Sequence, residues 1–300
     1  MSPNTQNENQ KNEFSFITKY KENQRIQELG LRFIYLIIVI VGAIFTLAPI
    51  VWMISTSLKT DGAVMIMPPQ WVPSPLRFEN YLEALNFMNG GRVYLNTFFI
   101  SFASILGQIF ACTLVGFGFA RIKVPGRNFL FILVLTGFML PPQVTLIPQF
   151  IMFSKLNWID TYLPLIVPEF MGAPFLIFLA RQFFLTIPFE MDESAKMDGC
   201  GYWGIYWRLI LPLSKPVIGI VAIQTFMNTW NEFLKPLIFI NSSEKYTVAL
   251  ALQNFTADYG MTPWHLLMAA SLTALLPCIL LFFLAQRYFI QGIVITGVKG

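Results

Sequence analysis

The sequence is poor in charged residues, histidine and cysteine, and each shortage excludes a class of protein. Only 12% of its 300 residues are charged, too few to cover the surface of a water-soluble protein of this length. The single histidine, His265, has no nucleophile or metal-ligand pattern around it, which argues against catalysis. The cysteines lie too far apart for a disulfide framework or a metal site, so we interpret Cys112, Cys200 and Cys278 as packing residues.

The dipeptide Gly-Lys is absent from the chain. A nucleotide-binding P-loop needs a glycine-rich backbone followed by Gly-Lys-Ser/Thr, which holds phosphate and Mg²⁺. We therefore predict that the chain is not an enzyme, that it binds no cofactor or metal, and that any ATP it uses is bound elsewhere.

Apolar residues are abundant: 55% of the chain is hydrophobic and the mean hydropathy is +0.60. The net charge of +4 does not indicate nucleic-acid binding, because the basic residues are scattered at the ends of apolar runs. A chain solvated by lipid must pair all its backbone groups internally, and apolar runs of about twenty residues favour helices over a barrel.

We predict an all-α integral membrane protein with six transmembrane helices. The first thirty residues are polar, unlike a signal peptide, and we expect a cytoplasmic tail over 1–30 before a membrane domain over 31–300. The six apolar runs are Phe33–Ser57, Val93–Ala120, Phe129–Phe153, Tyr162–Ala180, Pro216–Ile240 and Trp264–Ala285.

The basic residues of the short loops orient these runs, since Lys and Arg favour the cytoplasmic side. One side carries twelve of them: Lys11, Lys19, Lys21, Arg25, Arg32, Arg121, Lys123, Arg127, Arg181, Lys196, Arg208 and Lys215. The other side carries fewer: Lys59, Arg77, Arg92, Lys155, Lys235 and Lys245. We therefore expect both termini to be cytoplasmic.

Two loops on the outer side are long. The first contains Pro68, Pro69, Pro73 and Pro75, which predict an extended segment before a short helix over 78–86. The second, about 241–263, is rich in aromatic residues. These residues suit either an interfacial belt or contact with an extracytoplasmic partner.

One inner loop, over about 187–216, is too long to be a simple connection. Acidic residues follow Pro188, which predicts a helix from Phe189 to Met197. Asp198-Gly199 predicts a turn, and a second helix should follow to Pro212. The few apolar residues of this helix-turn-helix suit a groove in a protein better than lipid.

At this loop the chain resembles the permease subunits of ATP-binding-cassette importers. Their EAA motif reads E-A-A, two residues, D-G, nine residues, I-x-L-P, and here Ser194 replaces the first Ala and Leu209 the Ile. In that family the loop forms a cytoplasmic coupling helix that docks on the ATPase subunit. The resemblance implies an ATPase contact through Glu190, Glu193, Ser194, Ala195, Asp198, Gly199, Leu211 and Pro212.

The resemblance extends from about Gly30 to the end of the sequence. Over this length the chain is similar to the six-span permease subunit of the maltose-transporter type. The resemblance includes GFGFARIKVPGR at 116–127, LPPQVTLIPQF at 140–150 and NTWNEFLKPL at 228–237. It implies the type I ABC importer permease fold in a bacterial inner membrane. It also implies a C-terminal cytoplasmic tail over about 287–300 that reaches the ATPase through Thr296, Gly297, Val298, Lys299 and Gly300.

The same resemblance implies the partners and the cargo. The partners are a second homologous permease, an ATPase dimer that binds ATP and Mg²⁺, and an extracytoplasmic substrate-binding protein. The cargo is a sugar such as an oligosaccharide, a disaccharide or a polyol-like solute, carried by alternating access.

Polar residues within the apolar runs are candidates for the translocation path, because sugars are bound by amides, carboxylates and aromatic faces. Glu169 and Asn228 have an alternative interpretation as hydrogen bonds between helices, and Pro141, Pro142 and Pro148 predict a break in the third run. The candidates are Gln143, Glu169, Asn228, Trp230, Asn231 and Glu232.

Two other functions fit the sequence. A permease of the same architecture could import a compatible solute, a polyamine or a phosphate ester. An ion-coupled secondary transporter would need ionisable residues at mid-membrane, and Glu169 alone is thin support for it. We interpret His265 as an interfacial residue rather than a proton relay.

Overall fold

The computed structural model describes residues 31–257 and 262–297, with side chains described at 31–256 and 262–286. The predicted tail over 1–30 lies outside these residues. Within the described residues every regular element is helical. The α-helices are α1 Leu31–Ser57, α2 Glu79–Phe87, α3 Gly90–Arg121, α4 Arg127–Thr136, α5 Pro142–Lys155, α6 Leu163–Ile166, α7 Pro174–Thr186, α8 Phe189–Met197, α9 Tyr202–Ile205, α10 Leu211–Leu213, α11 Lys215–Trp230, α12 Leu234–Phe239, α13 Val248–Ala257 and α14 Trp264–Gly297.

Four helical stretches of the described chain are long and apolar enough to cross a membrane, and two bent helix pairs bring the number to six. The four are Leu31–Ser57, Gly90–Arg121, Leu163–Thr186 and Trp264–Gln286, and the pairs are Arg127–Met139 with Pro142–Lys155 and Tyr202–Leu213 with Lys215–Trp230. The all-helical membrane fold predicted from the sequence is confirmed.

Helix α3 is the axis of the molecule. Its 32 residues make it about 48 Å long, and it packs against α7 and α11. The close approach to α7 depends on Gly116, because a Cβ added there would lie 2.9 Å from the Cβ of Ala180. We name the two ends of the bundle after this helix: the Gly90 end and the Arg121 end.

The third predicted span is not one straight helix. The chain bends by 95° between Met139 and Pro142, where Pro141 precedes α5 and Pro142 is its first residue. Proline is well suited to a helix start because it lacks the N–H group that the first turn leaves unpaired. Pro148 lies inside α5, which continues through it, so the predicted break is confirmed at 141–142 only.

The fifth predicted span, Pro216–Ile240, is also divided. Helix α11 ends at Trp230, and the separate helix α12 begins at Leu234. The Glu232 carboxylate accepts the N–H groups of Leu234 at 3.0 Å and Lys235 at 3.3 Å, and so caps the start of α12. A local cap therefore marks the start of the second piece, and hydropathy does not reveal it.

At the Gly90 end, Asp160 joins two loops that are distant in sequence. Its carboxylate accepts the N–H of Asn241 at 3.0 Å, the N–H of Ser242 at 2.9 Å and the hydroxyl of Ser242 at 2.6 Å. The ammonium of Lys245 lies 2.9 Å away. The hydrogen bonds from Ser242, followed by Lys245, hold the pKa of Asp160 well below its usual range.

Candidate functional site

Helix α8 has the bounds that the sequence predicted, Phe189–Met197. Pro188 precedes it, and Glu190 and Asp192 lie in its first turn, where negative charge favours the helix N-terminus. Gly199 follows with φ of +82°, a left-handed conformation that strains a residue with a Cβ. The predicted turn is present at Asp198-Gly199, and α9 begins at Tyr202 after two further residues.

One side of α8 is attached to the bundle and the other is exposed. Asp192 is buried, and Ala195 packs beside a core formed by Phe184, Ile187, Ile205 and other residues at the Arg121 end. The exposed side carries Glu190, Glu193, Ser194 and Met197, the last with 90% of its surface accessible. The helix thus presents acidic and apolar groups away from its own chain.

Two further motif residues lie after α9. A π-helical segment, Tyr206–Ile210, leads into α10, and the chain then bends by 77° into α11. Leu211 packs partly against the same core as Ala195, whereas Pro212 is exposed. The motif residues therefore divide into a packed group and an exposed group.

Arg121 attaches α8 to α3, and sequence analysis missed this role because it treated Arg121 only as a loop charge. Its guanidinium donates to the carbonyl oxygens of Phe184 at 2.9 Å and Ile187 at 2.7 Å. Its Nε lies 3.5 Å from Oδ2 of Asp192, and Arg121 has no exposed side-chain surface. Burial raises the pKa of Asp192, while the charges of Arg121 and Lys196 oppose that rise.

A cavity of about 820 Å³ opens between α3, α7 and α11. Gln108 on α3 lines it and lies 18 residues from Gly90, which is about 27 Å along the helix and places the cavity near mid-bundle. Polar side chains account for much of the lining: Gln108, Glu169, Gln224, Thr225, Asn228, Thr229, Asn231, Glu232, Lys235 and Thr247.

Glu169 is the centre of a polar cluster in this cavity. One carboxylate oxygen accepts a hydrogen bond from the amide of Gln108, and the other lies 3.7 Å from the ammonium of Lys235. The Gln108 carbonyl in turn accepts the N–H of Ala173 at 2.9 Å. Both alternatives for Glu169 are therefore present together, since it bonds between helices and also lines the cavity.

The cavity includes four of the six predicted path residues: Glu169, Asn228, Asn231 and Glu232. Trp230 points elsewhere, because its ring is 3% exposed and its N–H donates to the carbonyl of Ala274 at 3.1 Å. Trp230 is not among the residues that line this cavity, and its assignment to the path stays a prediction. Gln143 is exposed but is not among the lining residues.

Sequence analysis missed six polar lining residues: Gln108, Gln224, Thr225, Thr229, Lys235 and Thr247. Gln108 is a strongly polar residue inside an apolar run, and that signal could have identified it. Lys235 was counted among the outer-side charges, although its ammonium faces Glu169. His265, interpreted above as an interfacial residue, is 6% exposed, with Nδ1 3.3 Å from Oδ1 of Asp61.

The predicted C-terminal contact lies largely beyond the described residues. Helix α14 includes Thr296 and Gly297 at its end, but their side chains are outside the described set, as are Val298, Lys299 and Gly300. The assignment of these five residues remains a prediction.

Comparison with known proteins identifies the family. The model of the binding-protein-dependent transport system inner membrane component matches residues 112–295. The arabinooligosaccharides transport system permease protein AraQ of Bacillus subtilis (strain 168) is 37% identical over 233 residues, covering 76% of this chain and 81% of that protein. The sn-glycerol-3-phosphate transport system permease protein UgpE of Yersinia pestis is 30% identical over 280 residues, covering 91% and 98%.

A solved structure establishes the same fold. It is the crystal structure of a bacterial ABC transporter involved in the import of the acidic polysaccharide alginate, with a TM-score of 0.75 and 20% identity, covering 85% of this chain and 95% of that one. Since the family model covers more than half of the chain, the protein belongs to the binding-protein-dependent transport system inner membrane components and is a permease subunit rather than an enzyme.

Proposed function

We propose that this chain is one of two permease subunits of an ATP-driven sugar importer, and that α8 docks on the partner ATPase. The observation that carries the proposal is the two-sided character of α8. One side is fixed to the bundle through Asp192 and Ala195, while Glu193 and Met197 are exposed. A short helix attached on one side transmits motion to the bundle only if a partner protein binds its exposed side.

The exposed side of α8 suits a basic and apolar groove. Glu190 and Glu193 supply negative charge, and Met197 supplies a flexible apolar side chain. Ser194 bonds back to the carbonyl of Glu190 at 2.9 Å and is therefore internally satisfied. The ATPase dimer would bind ATP and Mg²⁺, and the C-terminal residues 296–300 would form a second contact with it.

The cavity supports a sugar as the cargo. Amides of Gln224, Asn228 and Asn231 can both donate to and accept from hydroxyl groups, which is the chemistry that a saccharide needs. The relatives named for arabinooligosaccharides agree with this choice. A second, homologous permease would complete the path, and an extracytoplasmic binding protein would deliver the sugar at the Gly90 end.

A phosphate ester is the second candidate, because one relative is named for sn-glycerol-3-phosphate. Lys235 would be the cation for such a substrate. Its ammonium is already paired with Glu169, and Glu232 adds another negative charge to the lining. The charge of the cavity therefore favours an uncharged saccharide.

The docking proposal is tested by co-expressing the chain with its second permease and a tagged ATPase. Glu193→Ala and Gly199→Asp, separately and together, should reduce the ATPase retained on purification by about tenfold or more, since loss of a hot-spot contact costs about 2 kcal/mol. Glu79→Ala is the control, because this exposed acid lies in α2. Unchanged retention in both α8-region variants would reject the docking assignment.

The cargo is tested by uptake into proteoliposomes that contain the complex and its binding protein. Labelled arabino-oligosaccharides should accumulate only with internal ATP, and excess sn-glycerol-3-phosphate should not compete. Competition by the phosphate ester would favour the second candidate. Uptake that follows a proton or sodium gradient without ATP would favour a secondary transporter.

A further inference from the structure

The buried guanidinium of Arg121 connects three parts of the chain that are separate in sequence. It ends α3, bonds to two carbonyl oxygens at the end of α7, and pairs with Asp192 in the first turn of α8. The ring of Phe189 lies 4.3 Å from its central carbon. Four groups from two other segments therefore surround one arginine side chain.

The charge of Arg121 is compensated by two hydrogen bonds from Nη2 and by the ion pair with Asp192, while Nε and Nη1 make no hydrogen bond. A buried arginine is costly unless partners satisfy it, and losing one partner of a buried pair typically costs more than the pair contributes. The carbonyl groups at the end of α7 carry partial negative charge, and that of Phe184 also accepts the N–H of Ile187 at 3.3 Å. Arg121 thus bonds the end of α7 and pairs with Asp192 at the same time.

We infer that Arg121 is a positioning residue that carries the motion of α8 directly into α3. The inference rests on the proposed function, because it requires α8 to be the part that the ATPase moves. By chain connectivity alone, α8 would move only α7 before it and α9 to α11 after it. The Arg121–Asp192 pair adds a third attachment, to a helix that comes much earlier in the sequence.

Helix α3 leads from this attachment to the cavity. Gln108 lies 13 residues from Arg121 on the same unbroken helix, about 20 Å away. There it donates to Glu169, which is itself paired with Lys235 in the cavity wall. A displacement of the Arg121 end of α3 therefore reaches the polar cluster through one rigid element and one hydrogen bond.

A purely structural clamp would have the same contacts, so the test must separate the two roles. Asp192→Ala removes the ion pair between Arg121 and α8, and leaves the contact with the Phe189 ring and both bonds from Arg121 to the end of α7. Arg121→Ala removes both attachments. Arg127→Ala is the matched control, because this nearby arginine bonds the carbonyl of Ile122, directly after α3, at 3.4 Å.

The readout is the accessibility of the cavity in the assembled complex. A single reporter, Met227→Cys, is placed in the cavity lining of a chain whose three native cysteines are replaced by alanine. Its rate of maleimide labelling is measured with ADP and with ATP plus vanadate. The change in labelling rate between the two nucleotide states measures how strongly the accessibility of the cavity depends on the state of the ATPase.

Asp192→Ala and Arg121→Ala should each shrink this nucleotide-dependent change by about tenfold, within the usual range of coupling between sites, while the ATPase remains bound. Arg127→Ala should leave the change as in the parent. If Arg121→Ala fails to fold, Asp192→Ala alone decides. An unchanged response in Asp192→Ala, with the ATPase bound, overturns the inference.

Failure of the proposed function gives a different result. The parent chain itself would then fail to retain the ATPase, or would label at one rate in both nucleotide states. Variants that retain the ATPase and lose only the labelling response would support Arg121 as the link. The two proposals can therefore fail independently.

Discussion

A single carboxylate, Asp160, holds together the Gly90 end of the bundle. It adopts a left-handed backbone conformation with φ of 59° and accepts hydrogen bonds from two backbone N–H groups and a serine hydroxyl. An apolar cluster that includes Phe239 and Ile240 packs beside these bonds, and the polar part of the junction depends on the charge state of one group. Acidic pH should weaken it.

We expect Asp160→Asn to lower the melting temperature of the detergent-solubilised protein at neutral pH, by an amount corresponding to about 1–3 kcal/mol for hydrogen bonds to a charged group. Because the folded pKa is depressed, the stabilisation is complete above the unfolded pKa of about 3.9 and is lost as the pH falls toward the folded pKa. The difference between parent and variant should therefore be constant from pH 7 to 5 and shrink below about pH 4. A difference that does not depend on pH would contradict this account. Asp198→Asn, in the exposed turn after α8, is the control.

At the scale of elements, the contact between α3 and α7 depends on small residues. In membranes, helices associate through close packing rather than through the hydrophobic effect, so a glycine at the contact allows the backbones to approach. Gly116 faces Ala180 across this contact, whereas Gly118, two residues later, has no atom within 4 Å of an added Cβ. The two glycines form a natural pair of test sites on one helix.

Gly116→Ala should destabilise the protein by about 1–3 kcal/mol, the usual cost of overpacking, because the new methyl group meets the Cβ of Ala180. Gly118→Ala should be neutral or stabilising by up to about 1 kcal/mol, since alanine favours the helix. Thermal unfolding in detergent measures both. Equal effects of the two substitutions would show that α3 and α7 accommodate the added methyl group with no loss in the free energy of unfolding.

Helix bounds were more predictable than helix directions. The acidic residues after Pro188 and the Asp198-Gly199 turn are local signals, and they predicted α8 at its observed bounds. The 95° and 77° bends were not predictable in size, because hydropathy carries no direction. The third apolar run continues through the first bend, and the second bend lies between Leu213 and Lys215, just before the fifth run begins. The role of Arg121 was missed for a related reason: its partners lie in segments far along the chain.

In the cavity, too, local positions were predictable from the sequence and contacts between distant segments were not. Asn228 and Asn231 could be placed together because they lie on one helical face, and both line it. Trp230 lies between them in sequence, and its different direction follows from helical geometry together with packing against α14. Only the fold shows that Gln108, Glu169 and Lys235 meet, because each comes from a different helix or helical segment.

At the scale of the whole molecule, the two ends of α3 should face opposite sides of the membrane. Met197 at the Arg121 end is 90% exposed, and Met67 in the loop at the Gly90 end is 84% exposed. The excess of basic residues near the Arg121 end predicts that this end is cytoplasmic. Each methionine is therefore a suitable position for a labelling probe.

In intact cells, Met67→Cys should react with a membrane-impermeant maleimide and Met197→Cys should not, in a background without the native cysteines. In inside-out vesicles from cells that lack the partner ATPase, which would otherwise cover Met197, the pattern should reverse. Labelling of both sites from the same side would contradict the opposed ends, and labelling of Met197→Cys alone in intact cells would invert the predicted orientation.

The bend between α4 and α5 has a consequence for hydration. Irregular backbone at membrane depth is tolerated only where protein or water meets its free polar groups. Phe138 on one side of the bend and Pro142 on the other both line the cavity, so the interrupted backbone borders that space rather than lipid alone. Water that enters the cavity can therefore solvate the carbonyl groups released by the break. The bend and the solute path would then share one hydrated surface of the cavity. Loss of water from the cavity would leave these carbonyl groups without partners and strain the α4–α5 pair.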